Sequence, residues 1–395
     1  GMTPAILQVL PSLDAGGVER GTLEIAEAIA AAGWRALVAS SGGRLAPELE
    51  RLGARHIPLP LAGKSPWRIW RNAALLEEVI RREGVSLIHA RSRGPAWSAL
   101  LAARRTGVPF VTTYHATYSE GFPGKRLYNS VMARGDRVIA ISHHIAAHVR
   151  ATHGVEEARL RVILRGADSR RFDPARVPPA AAAALRRAWG VPAGAPLILM
   201  PARLSRWKGQ SVLVEALALL PGAHAVLAGD AQGRDAYVQS LLAAAERLGV
   251  AQRLHLPGHV EDVPAALMAA DVVVHASLEP EGFGRTIAEA QMMGRLVIAS
   301  DLGAPRETVQ HGVTGWRAPP GDPAALAAAI REALALPEEA RARIAAAARA
   351  AAPSIAAMQA ATLAVYAELL GVSPPGAGSA AASAEGGASH SGRST

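Results

Sequence analysis

Three short segments of this 395-residue chain hold residue types at spacings that could do chemistry. The sharpest is Glu279-Pro280-Glu281-Gly282-Phe283-Gly284-Arg285-Thr286-Ile287-Ala288-Glu289-Ala290, directly after the apolar run Val272–His275. Glu281 sits in a glycine-rich loop, and Glu289 lies inside the helix which that loop opens. Loop amides and a helix start favour an anion such as phosphate. Carboxylates bracketing that anion would accept hydrogen bonds from hydroxyl groups. The second segment, Arg203-Leu204-Ser205-Arg206-Trp207-Lys208-Gly209, follows the run Leu197–Met200. Its cations Arg203 and Lys208 could grip a diphosphate, Arg as a fork and Lys as a point charge. A solvated loop with cations by chance is the alternative. The third is Asp14-Ala15-Gly16-Gly17-Val18-Glu19, where paired glycines let backbone approach a ligand at a helix start. A plain turn is the alternative there. The G-x-G-x-x-G spacing of dinucleotide sites is absent, which argues against a nicotinamide oxidoreductase.

Each segment lies where a strand-like run gives way to a helical one, the place where open α/β sheets bind ligands. Strands are predicted at Ile6–Leu10, Ala36–Ser40, Leu87–Ala90, Phe110–Tyr114, Arg137–Ile141 and Arg161–Leu164 in the first half. In the second half they are predicted at Leu197–Met200, Ala225–Ala228, Leu254–Leu256, Val272–His275 and Val297–Ala299. Helical stretches alternate with them, for example Val18–Ala32, Ala73–Glu83, Ser211–Leu220, Asp235–Gly249 and Arg285–Met293. This alternation predicts parallel sheets flanked by helices, and the strands read as apolar on both faces. The length suits two domains, and Arg165–Pro179, with four Gly or Pro and no helical period, reads as the linker. Ala-rich helices near Asp322–Leu336 and Glu338–Ala351 follow, then a last one from Pro353 to about Leu370. Pro374–Thr395 has no large apolar side chain and is expected to be disordered.

Composition narrows the classes. Half the residues are hydrophobic and 19% are charged, as in a soluble globular chain. There is no cysteine, so disulfides, thiolate metal sites and a Cys nucleophile are excluded. Neither a signal peptide nor a membrane-spanning run is expected. The net charge of +9 is uneven: residues 61–180 hold 20 Lys/Arg against 9 Asp/Glu. Solvated arginines or an anionic partner of the N-terminal half both fit. Nucleic acid is not expected, because the arginines are spread over many elements without interleaved aromatics. An anionic membrane surface or a phosphorylated acceptor fits better.

Taken together, Gly16-Gly17, Tyr114-His115, Arg203…Lys208 and Glu281-Gly-Phe-Gly…Glu289 resemble, in order and spacing, the family 4 (group 1) retaining glycosyltransferases of the GT-B fold. The resemblance runs from about Ile6 to Leu370. It implies two Rossmann-like domains facing across a cleft, residues 1–170 and 171–352. The helix of residues 353–371 would pack back on the N-terminal domain, before a tail of residues 372–395. It implies that Arg203 and Lys208 neutralise a nucleotide-sugar diphosphate, and that Glu281 holds sugar hydroxyls with Gly282, Phe283, Gly284 and Arg285 in support. It implies further that Glu289 holds the ribose, that Gly16 and Gly17 approach the phosphates, and that His115 lies beside the donor sugar. His115, Arg203, Lys208 and Glu281 would then be the catalytic set. No metal or cofactor is implied, and no Asp-x-Asp occurs.

The implied activity is hexosyl transfer from a nucleoside diphosphate sugar to a saccharide or lipid-linked acceptor, as in envelope polysaccharide or lipopolysaccharide synthesis. The implied setting is cytoplasmic, with peripheral contact on the inner face of the plasma membrane left open. A GT-B nucleotide-sugar epimerase and a non-catalytic nucleotide-sugar-binding protein are the alternatives. Arg91 and Arg93, at the end of a strand, are acceptor-phosphate candidates. So is Arg165, which stands where the family commonly has Asn. His143, His144 and His148 read as a helix N-terminus or a solvated face, because no carboxylate is spaced to join them at a metal. Asp136 reads as a turn residue. Trp67 and Trp70, beside Lys64, Arg68 and Arg71, read first as core or domain packing and second as a membrane-interface pair.

Overall fold

The computed structural model describes residues 2–63, 65–281 and 283–376. The chain divides into two compact units: one runs to Leu164 and resumes at Ala356, and the other spans Arg165–Ile355. Of the predicted tail, residues 377–395 lie outside the described ones, as do Lys64 and Gly282.

The first unit is a seven-stranded parallel sheet of β1 (Ala5–Val9), β2 (Arg35–Ser40), β3 (Arg55–Pro58), β4 (Leu87–Ala90), β5 (Phe110–Tyr114), β6 (Arg137–Ala140) and β7 (Leu160–Val162). Its spatial order is β3-β2-β1-β4-β5-β6-β7, so β1 and β4 flank the point where the winding reverses. Central strands such as Ala5–Val9 are buried at every position, as a sheet covered on both faces requires. The second unit is a six-stranded parallel sheet of β8 (Leu197–Pro201), β9 (His224–Ala228), β10 (Leu254–Gly258), β11 (Val272–His275), β12 (Val297–Ser300) and β13 (Trp316–Ala318), in the order β10-β9-β8-β11-β12-β13. Here the reversal falls between β8 and β11. One device recurs in both sheets: the carboxylate of Asp136 accepts from the Phe110 amide at 2.8 Å, and that of Asp271 accepts from the Leu197 amide at 2.8 Å.

The last helix, Ile355–Leu370, packs on the first sheet. The phenol of Tyr366 is fully buried and lies 2.5 Å from Nδ1 of His89, whose Nε2 lies 2.6 Å from the Thr113 hydroxyl. Burial holds the His89 pKa well below the ordinary histidine range, with Arg91 and His115 adding to the shift. Glu368 accepts from Arg137 at 2.8 Å and from Arg161 at 2.7 Å, which pins the end of the helix.

Two edge strands were not predicted. In β3 only Ile57 is buried, and β13 has three residues, so neither offers the apolar run of a covered strand. The stretch Arg165–Pro179 starts at the boundary between the units and packs within the second. Ala167 and Phe172 are buried in the second unit, and Ala167 bonds through its amide to the Pro353 carbonyl at 3.0 Å. Trp67 and Trp70 are not core residues. They are 57% and 61% exposed on the helix Pro66–Glu83, with the guanidinium of Arg68 5.6 Å from the Trp67 ring and that of Arg105 5.8 Å from the Trp70 ring.

Candidate active site

The loops that follow β8 and β11 meet because those strands are neighbours, and they enclose a pocket of about 100 Å³. Pro201, Ala202, Lys208, His275, Ser277, Glu281, Phe283 and Arg285 are among its lining residues. One backbone bond ties the two loops together, and a second ties Glu281 to the segment after β12. The Leu278 amide donates to the Trp207 carbonyl at 2.8 Å, and the Ala304 amide donates to the Glu281 carbonyl at 3.1 Å. Gly209 holds a φ of +79°, and a Cβ there would overlap the Ala276 carbonyl, so only glycine lets the two loops close this tightly.

The pocket is strongly polarised. Lys208 Nζ pairs with Oε1 of Glu281 and also lies 4.2 Å from the Trp207 ring centre. Oε2 of Glu281 is 2.6 Å from Nε2 of His275, and Ser277 Oγ is 3.2 Å from the same nitrogen. Burial pushes the Glu281 carboxyl up, but hydrogen bonds and charge from His275 and Lys208 outweigh it and bring the pKa down to about 2. This carboxylate is ionised and ready to accept hydrogen bonds.

Behind Glu281, Gly284 caps the helix Arg285–Met292. Glu289, 9% exposed, sits within it and pairs with Arg285 at 3.3 Å. Burial raises the Glu289 pKa, against the opposing charges of Arg285 and Arg171. Glu289 therefore flanks the pocket through Arg285 and is not itself in its lining. Arg203 follows Ala202 of the lining and is exposed, and its side chain has no ionic partner among the described residues. Its carbonyl is held at 2.7 Å by Gln210, which also accepts from the Tyr237 hydroxyl at 2.9 Å. The loop is thus anchored while the guanidinium stays available. Phe283 packs against the core of the unit.

In the first unit, Gly16 holds a φ of +135° and caps the helix Gly17–Ala31, so a helix N-terminus stands at the end of β1 as its glycines predict. His115 follows β5, with Nε2 3.0 Å from the Arg91 carbonyl. Arg91 is buried, its guanidinium donating to Gln8 Oε1 at 3.0 and 2.8 Å, which makes it an internal strut. Arg93 donates to Asn129 at 2.7 Å, and its guanidinium lies 4.4 Å from the Tyr118 ring centre. Arg165 is half-buried in the second unit, beside Gly166, whose Cα approaches the Ser354 backbone closely. His143 and His144 open the helix His143–His153, capped by Ser142. Among the described residues, no three His, Asp or Glu are grouped to hold a metal ion, and no helix is long and apolar enough to cross a membrane.

Sequence reasoning missed His275 and Ser277. Their signal was a polar residue closing an otherwise apolar buried strand, one turn of loop before the glycine-rich segment.

Comparison with known proteins identifies the family. Residues 182–351 match the family model described as glycosyl transferases group 1, and residues 15–171 match glycosyltransferase family 4. A D-inositol 3-phosphate glycosyltransferase of Xylanimonas cellulosilytica is 35% identical over 302 residues, which is 70% of each chain. The crystal structure of a glycosyltransferase from Rickettsia africae is 35% identical, with a TM-score of 0.86 over 93% of this chain and 99% of that one. Anabaena HepE, solved in complex with UDP, is 28% identical, with a TM-score of 0.80 over 92% of this chain and 100% of that one. The chain, built on two Rossmann-like parallel sheets with GT-B neighbours, belongs to the family 4, group 1 glycosyltransferases.

Proposed function

We propose that the protein transfers a hexosyl group from a nucleoside diphosphate sugar to a saccharide or lipid-linked acceptor, with retention of configuration and without a metal ion. The observation that carries this reading is the sharing of one pocket by Lys208 and Glu281, a cation and an ionised hydrogen-bond acceptor, at the reversal point of the second sheet. Arg203 and Lys208 neutralise the diphosphate and the charge that grows on it as the glycosidic bond breaks. Cations bound most strongly at that moment lower the barrier. Glu281 accepts from sugar hydroxyls, with Phe283, Gly284 and Arg285 in support, and Glu289 accepts from the ribose. The family pattern gives donor contacts to Gly16, Gly17 and His115 as well. HepE was also solved with UDP-glucose, which supports a donor of this class.

Envelope polysaccharide or lipopolysaccharide assembly at the inner face of the plasma membrane is the proposed setting. The arginine excess of residues 61–180 and the exposed Trp67 and Trp70 beside Arg68 and Arg105 support it. A phosphorylated cyclitol acceptor is the second reading, favoured by the name of the Xylanimonas relative.

The test incubates the protein with UDP-, GDP- and ADP-hexoses and follows release of nucleoside diphosphate. One arm adds D-inositol 3-phosphate and the other adds bacterial membrane lipid extract. Acceptor-dependent release with one donor is expected, and the arm that responds identifies the acceptor class. Turnover of donor without acceptor would favour an epimerase, and no turnover of any donor would overturn the reading.

A further inference from the structure

One buried group of the pocket has no part in the reading above. His275 is the last residue of β11, a strand held between β8 and β12, and is 8% exposed. Its Nε2 faces a carboxylate oxygen, which can only accept, so Nε2 carries the proton and donates to Oε2 of Glu281. Its Nδ1 is buried and has no hydrogen-bond partner among the described residues, so His275 is tied to the site through Glu281 and Ser277.

The two partners of Glu281 differ in how firmly they are placed. Lys208 reaches Oε1 on a flexible four-carbon stem from the short turn Arg206–Lys208. His275 is carried by a central strand, its imidazole is buried, and Ser277 Oγ lies 3.2 Å from its Nε2. A diphosphate carries more negative charge than one carboxylate and competes strongly for the ammonium. Once Lys208 turns to phosphate, Oε1 loses its partner, and His275 is the remaining group that holds the carboxylate.

We propose that His275 is the positioning residue of the donor-sugar site: its Nε2–H pins Oε2 of Glu281, so that Oε1, released when the diphosphate draws Lys208 away, is presented to a sugar hydroxyl. The Lys208–Glu281 pair is then a placeholder that the donor exchanges for two better-matched contacts. This inference rests on the donor reading given under the preceding heading.

The test compares His275→Ala, His275→Gln and His275→Asn with the unaltered protein, after the UDP-, GDP- and ADP-glucose panel has identified the donor it binds. For each, affinity is measured by calorimetry for that nucleotide sugar and for its nucleoside diphosphate alone. In His275→Ala the sugar nucleotide is expected to bind about tenfold more weakly, the loss of one hydrogen bond to a charged group. The nucleoside diphosphate should stay within about twofold, because its contacts are made by other residues. The rise should appear in the donor KM more than in kcat. His275→Gln should restore the affinity, because its amide nitrogen reaches the place of Nε2. His275→Asn should not, because its amide reaches only the place of Nδ1. Equal loss of both ligands would mark a structural role, and unchanged sugar-nucleotide affinity in His275→Ala or equal behaviour of Gln and Asn would also overturn the inference. Failure of the unaltered protein to bind any donor would instead overturn the donor reading and this inference with it.

Discussion

Glu281 and Glu289 are both nearly buried glutamates, yet their surroundings pull their acidities in opposite directions. His275 and Lys208 overcome burial at Glu281 and bring it to about 2, while burial prevails at Glu289 and raises its pKa. The signs have consequences. A depressed carboxyl stabilises the fold above its ordinary value and loses that effect as pH falls from there to about 2, so Glu281 stays charged at every working pH. A raised carboxyl costs stability whenever it is forced to ionise, so Glu289 is a group kept at the expense of stability. Glu289→Gln should therefore raise the thermal midpoint at pH 7. It should also weaken nucleoside diphosphate binding about tenfold. A lower midpoint with unchanged affinity would contradict both roles. Lys208→Ala and Arg203→Ala should each lower transfer by about 10²- to 10³-fold with circular dichroism unchanged. Wild-type rates in either variant would remove that residue from the diphosphate. Lys208 and Glu281, which line one pocket, were legible in the sequence because loop glycines and strand ends frame them. His275 was not, because a histidine at the end of an apolar strand reads as part of the core until its partner Glu281 is seen.

The position of the two pocket loops follows from strand order, not from their own composition. β8 and β11 are neighbours although two strands separate them in sequence, and the reversal between them leaves a crevice at their carboxyl ends. Glycine at position 209 is what lets the loops close on each other. Gly209→Ala would place a methyl group against the Ala276 carbonyl in a backbone conformation that alanine resists. The expected outcome is loss of donor binding by calorimetry with far-ultraviolet circular dichroism preserved. Full binding in this variant would show that the loops tolerate separation. Buried central strands were visible as continuous apolar runs, and their edges fell within a residue or two. The edge strands β3 and β13 were not visible, because a strand covered on one side alone needs few apolar residues. Trp67 and Trp70 misled in the other direction: their size and their spacing by three suggested packing, while the helix presents them outward.

Across the whole molecule, His56, His89, His153, His224 and His255 all have lowered pKa values, each chiefly through burial. In the unfolded chain these groups take up protons near pH 6.5, whereas the folded chain resists doing so. Stability is thus present above about pH 6.5 and is lost as pH falls, by about 1.4 kcal/mol per pH unit for each proton taken up. Thermal melts at pH 7.5 and 5.5 should show a clear drop in midpoint at the lower pH, and equal midpoints would contradict the burial of these rings. Two βα layers were legible from the alternation of runs, and the family from four motifs in order. The pairing of His89 with Tyr366 was not, because residues so distant in sequence leave no local pattern when they meet. The central claim is that the pocket between β8 and β11 receives a nucleotide sugar. Its most direct test is a crystal structure with a non-hydrolysable nucleoside diphosphate hexose. Phosphates against Arg203 and Lys208, hexose hydroxyls on Glu281 and ribose on Glu289 are the expected result. A nucleotide bound anywhere else, with Lys208 still paired to Glu281, would contradict the claim.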